Sequence, residues 1–191
     1  MTLNRYLFVS VFTLLFCVIL KAQDPDIKKM PGFVNLEEIE IPGNAGEVTE
    51  ISLGPPLLRI ARTARVNGDE HLSETLDGLF SIQVKSFDVD SFQAIQVRPI
   101  MDKIEKQLTK EKWERLVRVK KAHEMTNVSI KYDKGKAVGL MIMSLNPGSE
   151  ASFVNIVGNI DLAQLGDLSN FGVDTSPLDS LEGLSDEDED E

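Results

Sequence analysis

Between residues 153 and 168 the chain reads F-V-N-I-V-G-N-I-D-L-A-Q-L-G-D-L, alternating apolar and polar positions as far as Ile160 and then placing leucines three apart. Alternation is the period of a strand with two unlike faces, and a spacing of three to four is that of a helix face. The stretch predicts a strand with Val154, Ile156 and Ile160 on one side and Phe153, Asn155, Val157 and Asn159 on the other. A helix should follow from Asp161, with Gln164 completing a capping-box-like pair and Leu162, Leu165 and Leu168 facing the sheet. Asn155 and Asn159 make their face the less apolar one, so it should be either wet or a binding surface.

The same reasoning runs back along the chain. Residues 36–41 and 48–53 are short β-rich runs separated by the turn formers Pro42-Gly43-Asn44-Ala45-Gly46, which fits a strand or loose hairpin. Gly54-Pro55-Pro56 ends the second run, and proline suits a first helical turn, so a helix should start near Pro55 with Leu57, Ile60, Ala61 and Ala64 as its apolar stripe. Arg59, Arg62 and Arg65 form a basic ridge on it, and Asp69 can cap a second short helix carrying Leu72, Leu76 and Leu79. Residues 80–89 read as a strand with Ile82, Val84 and Phe87 toward the core.

Ser91 offers the cap of a longer helix in which Val97, Met101, Ile104 and Leu108 are spaced four, three and four apart. Pro99 within it marks a kink or the true first turn, and Asp102 with Lys106 and Glu111 with Arg115 are spaced for ion pairs. Four strands should then form a meander: one at Val117 and Val119, one at Val128, Ile130 and Tyr132, one over residues 137–145 that is apolar on both faces, and the strand of residues 153–160. Asp133-Lys134-Gly135-Lys136 and Asn146-Pro147-Gly148-Ser149 supply the turns, the latter with the proline and glycine of a type II turn. The fold class predicted is α+β: a two-layer, mainly antiparallel sheet of about five or six strands with two to four helices on one face.

The ends of the chain belong outside that domain. Arg5 precedes an apolar run over residues 6–20 that closes on Lys21-Ala22, the form of a secretory signal peptide, with cleavage expected after Ala22. The run is shorter than the ~20 residues of a spanning helix and meets Gln23-Asp24-Pro25-Asp26 at once. Cys17, the only cysteine, sits inside the run between Phe16 and Val18, which is not a lipidation setting, so the mature chain has no thiol and must rely on a core. Residues 23–136 carry 19 acids and 18 bases, whereas residues 137–191 carry 12 acids and no base. The organisation expected is a signal peptide over residues 1–22, one domain over residues 30–171, and an acidic tail over residues 172–191 whose charge density opposes ordering. The localisation expected is periplasmic or secreted, without membrane insertion after cleavage.

Little in the chain points to bond-breaking chemistry. His71 could pair with Glu74 on a helix face, but no third ligand of recognisable spacing accompanies them, and a zinc site needs at least three protein ligands. His123, beside Glu124, reads as a loop residue between two strands. Asp88 and Asp90 could mimic a carboxylate pair, but strand-end aspartates are more often turn residues or helix caps. No catalytic, cofactor-binding or metal-binding residue is assigned, and no cofactor. Lys103, Lys106, Lys110, Lys112, Arg115 and Arg118 cluster around Trp113, which should pack at a helix end. A mature chain of 18 bases and 31 acids does not suit nucleic acid, so the acidic tail itself is a candidate occupant of that cluster or of the arginine ridge. Asn127-Val128-Ser129 has the spacing of a glycosylation acceptor, a surface site in a eukaryotic secretory route.

Gly54-Pro55-Pro56-Leu57-Leu58, Trp113-Glu114-Arg115-Leu116-Val117-Arg118-Val119 and the stretch from Phe153 to Asp161 together resemble exported bacterial proteins of domain-of-unknown-function family 4252, across about residues 30–171. Many members look like lipoproteins, and Phe16-Cys17 departs from that pattern. The resemblance implies address and fold and brings no activity, cofactor or catalytic residue. The function expected is an exported, non-enzymatic interaction or regulatory module with envelope proteins as partners. The competing readings are a metal-dependent hydrolase using His71 and a calcium-responsive acidic tail.

Overall fold

The computed structural model describes residues 26–63, 76, 78–121 and 124–161, and the structural statements below concern those residues. The signal segment, His71, His123, the helix expected after Asp161 and the acidic tail lie outside them.

Six strands form one antiparallel sheet: β1 (Val48–Leu53), β2 (Leu79–Val89), β3 (Glu114–Lys120), β4 (Met125–Asp133), β5 (Lys136–Asn146) and β6 (Ser149–Gly158). Their spatial order is β1-β2-β6-β5-β4-β3. Tight turns fix the register of the meander. Lys134 and Gly135 take positive φ of 51° and 78° between β4 and β5, matching the twist of a two-residue hairpin, and Gly148 at 83° supplies the position that a type II turn needs between β5 and β6. β6 then pairs with β2, bringing Val154 opposite Val84 and Asn155 opposite Gln83.

Helix α1 (Pro55–Thr63) links β1 to β2, and helix α2 (Ser91–Lys110) links β2 to β3. Asp90, rather than Ser91, caps α2, its carboxylate accepting from the Phe92 and Gln93 amides at 2.8 and 2.7 Å while Gln93 Oε1 accepts from the Asp90 amide. The helix runs through Pro99, whose side is exposed, so the carbonyl left without a partner one turn earlier faces water. Val97, Met101, Ile104 and Leu108 are all buried, as their spacing predicted.

The sheet separates two cores. Met141, Met143, Phe153 and Phe87 pack with α2 and Trp113 on one face; Ile82, Val84, Ile142, Val154 and Ile156 pack with Leu58 of α1 on the other. The two helices therefore lie on opposite faces, where the sequence placed them on one. The reason is in β5 and β6, where Leu140 and Met141, and Val154 and Phe153, are adjacent and all buried. Strands apolar on both sides must be covered on both sides.

Residues 36–41 do not form a strand. Leu36–Glu38 is a single 3-10 turn started by Asn35, whose side chain accepts from the Glu37 amide. It belongs to a strap, residues 30–39, that crosses the α2 face of the sheet and buries Val34, Leu36 and Ile39. Asn155 holds the strap. Its Oδ1 accepts from the Val34 amide at 2.9 Å, and its Nδ2 donates to the carbonyls of Gly32 at 3.0 Å and Leu140 at 3.1 Å. Gly32 and Gly139 let the two backbones meet, since a Cβ on either would run into the other's backbone, and one on Gly139 would also lie 2.8 Å from the Trp113 ring.

Candidate functional site: a groove at the β1 edge

Asn155 is wholly buried, so the face carrying it is not the wet surface its polarity suggested; the strap covers it and uses the amide as a clamp. The clamp ends at β6. Toward the edge of the same face, β2 and β1 carry polar rather than apolar side chains: Ser81, Gln83 and Lys85 on β2, with Glu50 opposite Lys85 and Ser52 opposite Gln83 on β1. A large side chain has nothing to pack on there, so the strap bridges the region and leaves a groove of about 560 Å³.

Polar strand residues form the floor of this groove. Its wall is Phe33, Asn35, Leu36 and Glu37 of the strap, and the 3-10 turn Ile27–Lys29 closes one end. Lys85 reaches along the floor with its side chain 8% exposed, and its Nζ sits 3.0 Å from Glu50 Oε1, whose own side chain is 61% exposed. A buried ammonium is thus compensated by a carboxylate that solvent and a ligand can both reach. Gln83 and Ser52 form no side-chain hydrogen bond among the described residues, which leaves an amide and a hydroxyl free on the floor. At the mouth, Lys29 donates to Asp26 at 2.8 Å, and this hydrogen bond holds the Asp26 carboxyl below its usual range and raises the Lys29 ammonium. β1 is an outer strand, so one side of its backbone has no sheet partner.

The residues singled out in the sequence fall elsewhere. Asp90 is a helix cap, and Asp88 accepts from the Glu47 amide at 3.3 Å, so both strand-end aspartates have backbone roles. Arg62 donates to the carbonyls of Leu76 at 2.9 Å and Leu79 at 2.6 Å, which ties α1 to the start of β2 and takes this arginine out of a free ridge. Arg115 pairs with Glu105, not Glu111, and Glu105 also lies 3.6 Å from Arg118. Asn127 is 1% exposed in the middle of β4, where the folded sheet has no room for a glycan, so the acceptor spacing does not mark a surface site. Among the described residues no three His, Cys, Asp or Glu side chains come together as a metal site. His71 and His123 lie outside them.

Sequence reasoning missed the groove because its wall and floor are far apart in the chain. The only local signal was the run of polar residues Ser81, Gln83 and Lys85 on one side of an otherwise apolar strand.

A family model, Domain of unknown function (DUF4252), matches the chain over residues 43–168. The chain belongs to this family. The DUF4252 match includes the floor of the groove and both helices, while the strap that walls it precedes the matched span. No curated protein and no solved structure matches the chain. No helix among the described residues is long and apolar enough to cross a membrane.

Proposed function

We propose that this DUF4252 chain is an exported, non-enzymatic interaction module that receives an extended polypeptide segment of an envelope protein in the groove beside β1. The observation that carries the reading is the coincidence of the groove with an outer strand: a 560 Å³ channel lies against backbone groups that have no sheet partner. An extended peptide can satisfy such groups by adding a strand, and the side chains beside it set specificity. Here those would be the Gln83 amide, the Ser52 hydroxyl and the Glu50 carboxylate that balances Lys85. Export is supported by the Arg5 and residues 6–20 pattern, and amino-terminal sequencing of the secreted product should begin at Gln23.

A photo-crosslinker placed at Ser52 in cells, with the same group at exposed Tyr132 as control, tests the docking reading. Specific adducts at Ser52 that map to one extended segment, and that disappear when Gln83→Trp fills the groove, are expected. Equal labelling from both positions would remove the proposal. Metal analysis of the purified chain with and without His71→Ala separates it from the hydrolase reading: an ion held in stoichiometric amount and lost with the histidine would favour the enzyme.

A further inference from the structure

The topology collects basic residues at the end of the sheet opposite the groove. Between Lys103 and Lys136 there are 11 Lys and Arg against 5 Asp and Glu, and these residues form the second half of α2, the outer strand β3 and the β4–β5 hairpin. Arg115 and Arg118 converge on a single carboxylate, Glu105, so that cluster keeps an uncompensated positive charge. Lys106, Lys110, Lys112 and Lys120 are exposed around it and form no ion pair among the described residues. A second copy of the chain fits this edge poorly, because pairing β3 with β3 would set Arg115, Arg118 and Lys120 against their own kind.

We propose that the β3 edge is an anion-docking surface whose occupant in the free protein is the chain's own end, residues 185–191. That end is Ser followed by six consecutive acids, and no base occurs after Lys136 to neutralise it internally. Reach is sufficient. From β6, where the described chain nears its end at Asp161, the β3 edge is three strand spacings away, roughly 14 Å. Beyond the helix expected after Asp161, the 14 residues from 172 to 185 would span about 19–22 Å as a coil. Tethering at that length holds the acidic end at a high effective concentration beside the lysines, so contacts that are individually weak act together. The same docking would shield an outer strand whose free backbone invites edge-to-edge pairing.

The test uses the chain from Gln23 to Glu191, which has no cysteine of its own, with a nitroxide on Ser185→Cys, read by paramagnetic broadening of backbone amides. At low salt, the Arg118 and Lys120 amides should lose about half their intensity or more while Thr49 on β1 keeps its own, and ~1 M salt should abolish the contrast because screening then acts within ~3 Å. Replacing the six terminal acids with Asn and Gln should abolish it too, and that change leaves the folded layer untouched. Broadening centred on the groove, equal at both edges, or indifferent to salt and to the neutralised end would overturn the proposal. Broadening that persists when spin-labelled chain is mixed with unlabelled isotope-enriched chain would assign the contact to a second copy instead, and overturn it as well.

Discussion

Replacing Asn155 with leucine keeps the branched shape of the side chain in a somewhat larger volume and removes all three of its hydrogen bonds. The donors and acceptors concerned, Val34 N–H, Gly32 C=O and Leu140 C=O, belong to buried residues. Three bonds at about 1 kcal/mol each give ~3 kcal/mol, and stranding the Val34 amide and Gly32 carbonyl against leucine raises this to about 3–5 kcal/mol. The strap has an alternative to carrying that cost: it can lift into water, where its backbone is solvated, and give up the burial of Val34, Leu36 and Ile39. Asn155→Leu should therefore open residues 30–39 locally while the sheet stays formed. Native-state hydrogen exchange reads this directly, because the Val34 proton is the one donated to Asn155. Its exchange should accelerate by roughly 10²–10⁴-fold, with amides in β5 and β6 changing far less. Asn155→Asp should behave no better, since a carboxylate retains an acceptor for Val34 but sets oxygens against the two carbonyls. Unchanged protection at Val34, or an equal loss across the whole sheet, would refute the assignment of Asn155 as a clamp.

Glu50→Gln leaves the Lys85 ammonium buried with a weaker partner and should lower stability by about 1–2 kcal/mol in a urea melt, Glu50 being largely solvated, whereas Lys85→Met should be neutral or stabilising. Pro99→Ala restores a hydrogen bond in mid-helix and should raise the melting midpoint by the equivalent of about 1–3 kcal/mol, measured by circular dichroism. Gly148→Ala forces a side chain into a left-handed conformation and should cost about 1–2 kcal/mol without altering the spectrum of the folded state. Gly139→Ala drives a methyl group between the strap and Trp113, and should increase proteolytic cleavage within residues 30–39 before it affects the sheet.

The elements whose partners are close in sequence were legible from the sequence alone. The α2 stripe of Val97, Met101, Ile104 and Leu108, the two hairpin turns and the presence of strand β6 each arise from local geometry, where side-chain period and turn chemistry decide the outcome. So was the α+β class with its antiparallel sheet, because the meander is built from neighbours. Composition also placed the excess of acid in residues 137–191 and every base before them.

What could not be read locally was set by contacts between distant positions. Residues 36–41 have the apolar content of a strand, yet the strap that contains them lies against a sheet face provided with Asn155 and Gly139 and buries Leu36 and Ile39 there. Asn155 and Asn127 are both asparagines in alternating strands, and only the arrival of the strap over one of them gave it partners, 121 residues away in the chain. The placement of the helices on opposite faces followed from the strand order, which puts two-sided apolar strands at the centre. The groove exists because the strap and the β1–β2 floor, unrelated in sequence, meet at an edge. Period and turn chemistry act over a few residues and are written in the chain, whereas which surfaces meet depends on the free energy of the whole layer and was decided only when it assembled.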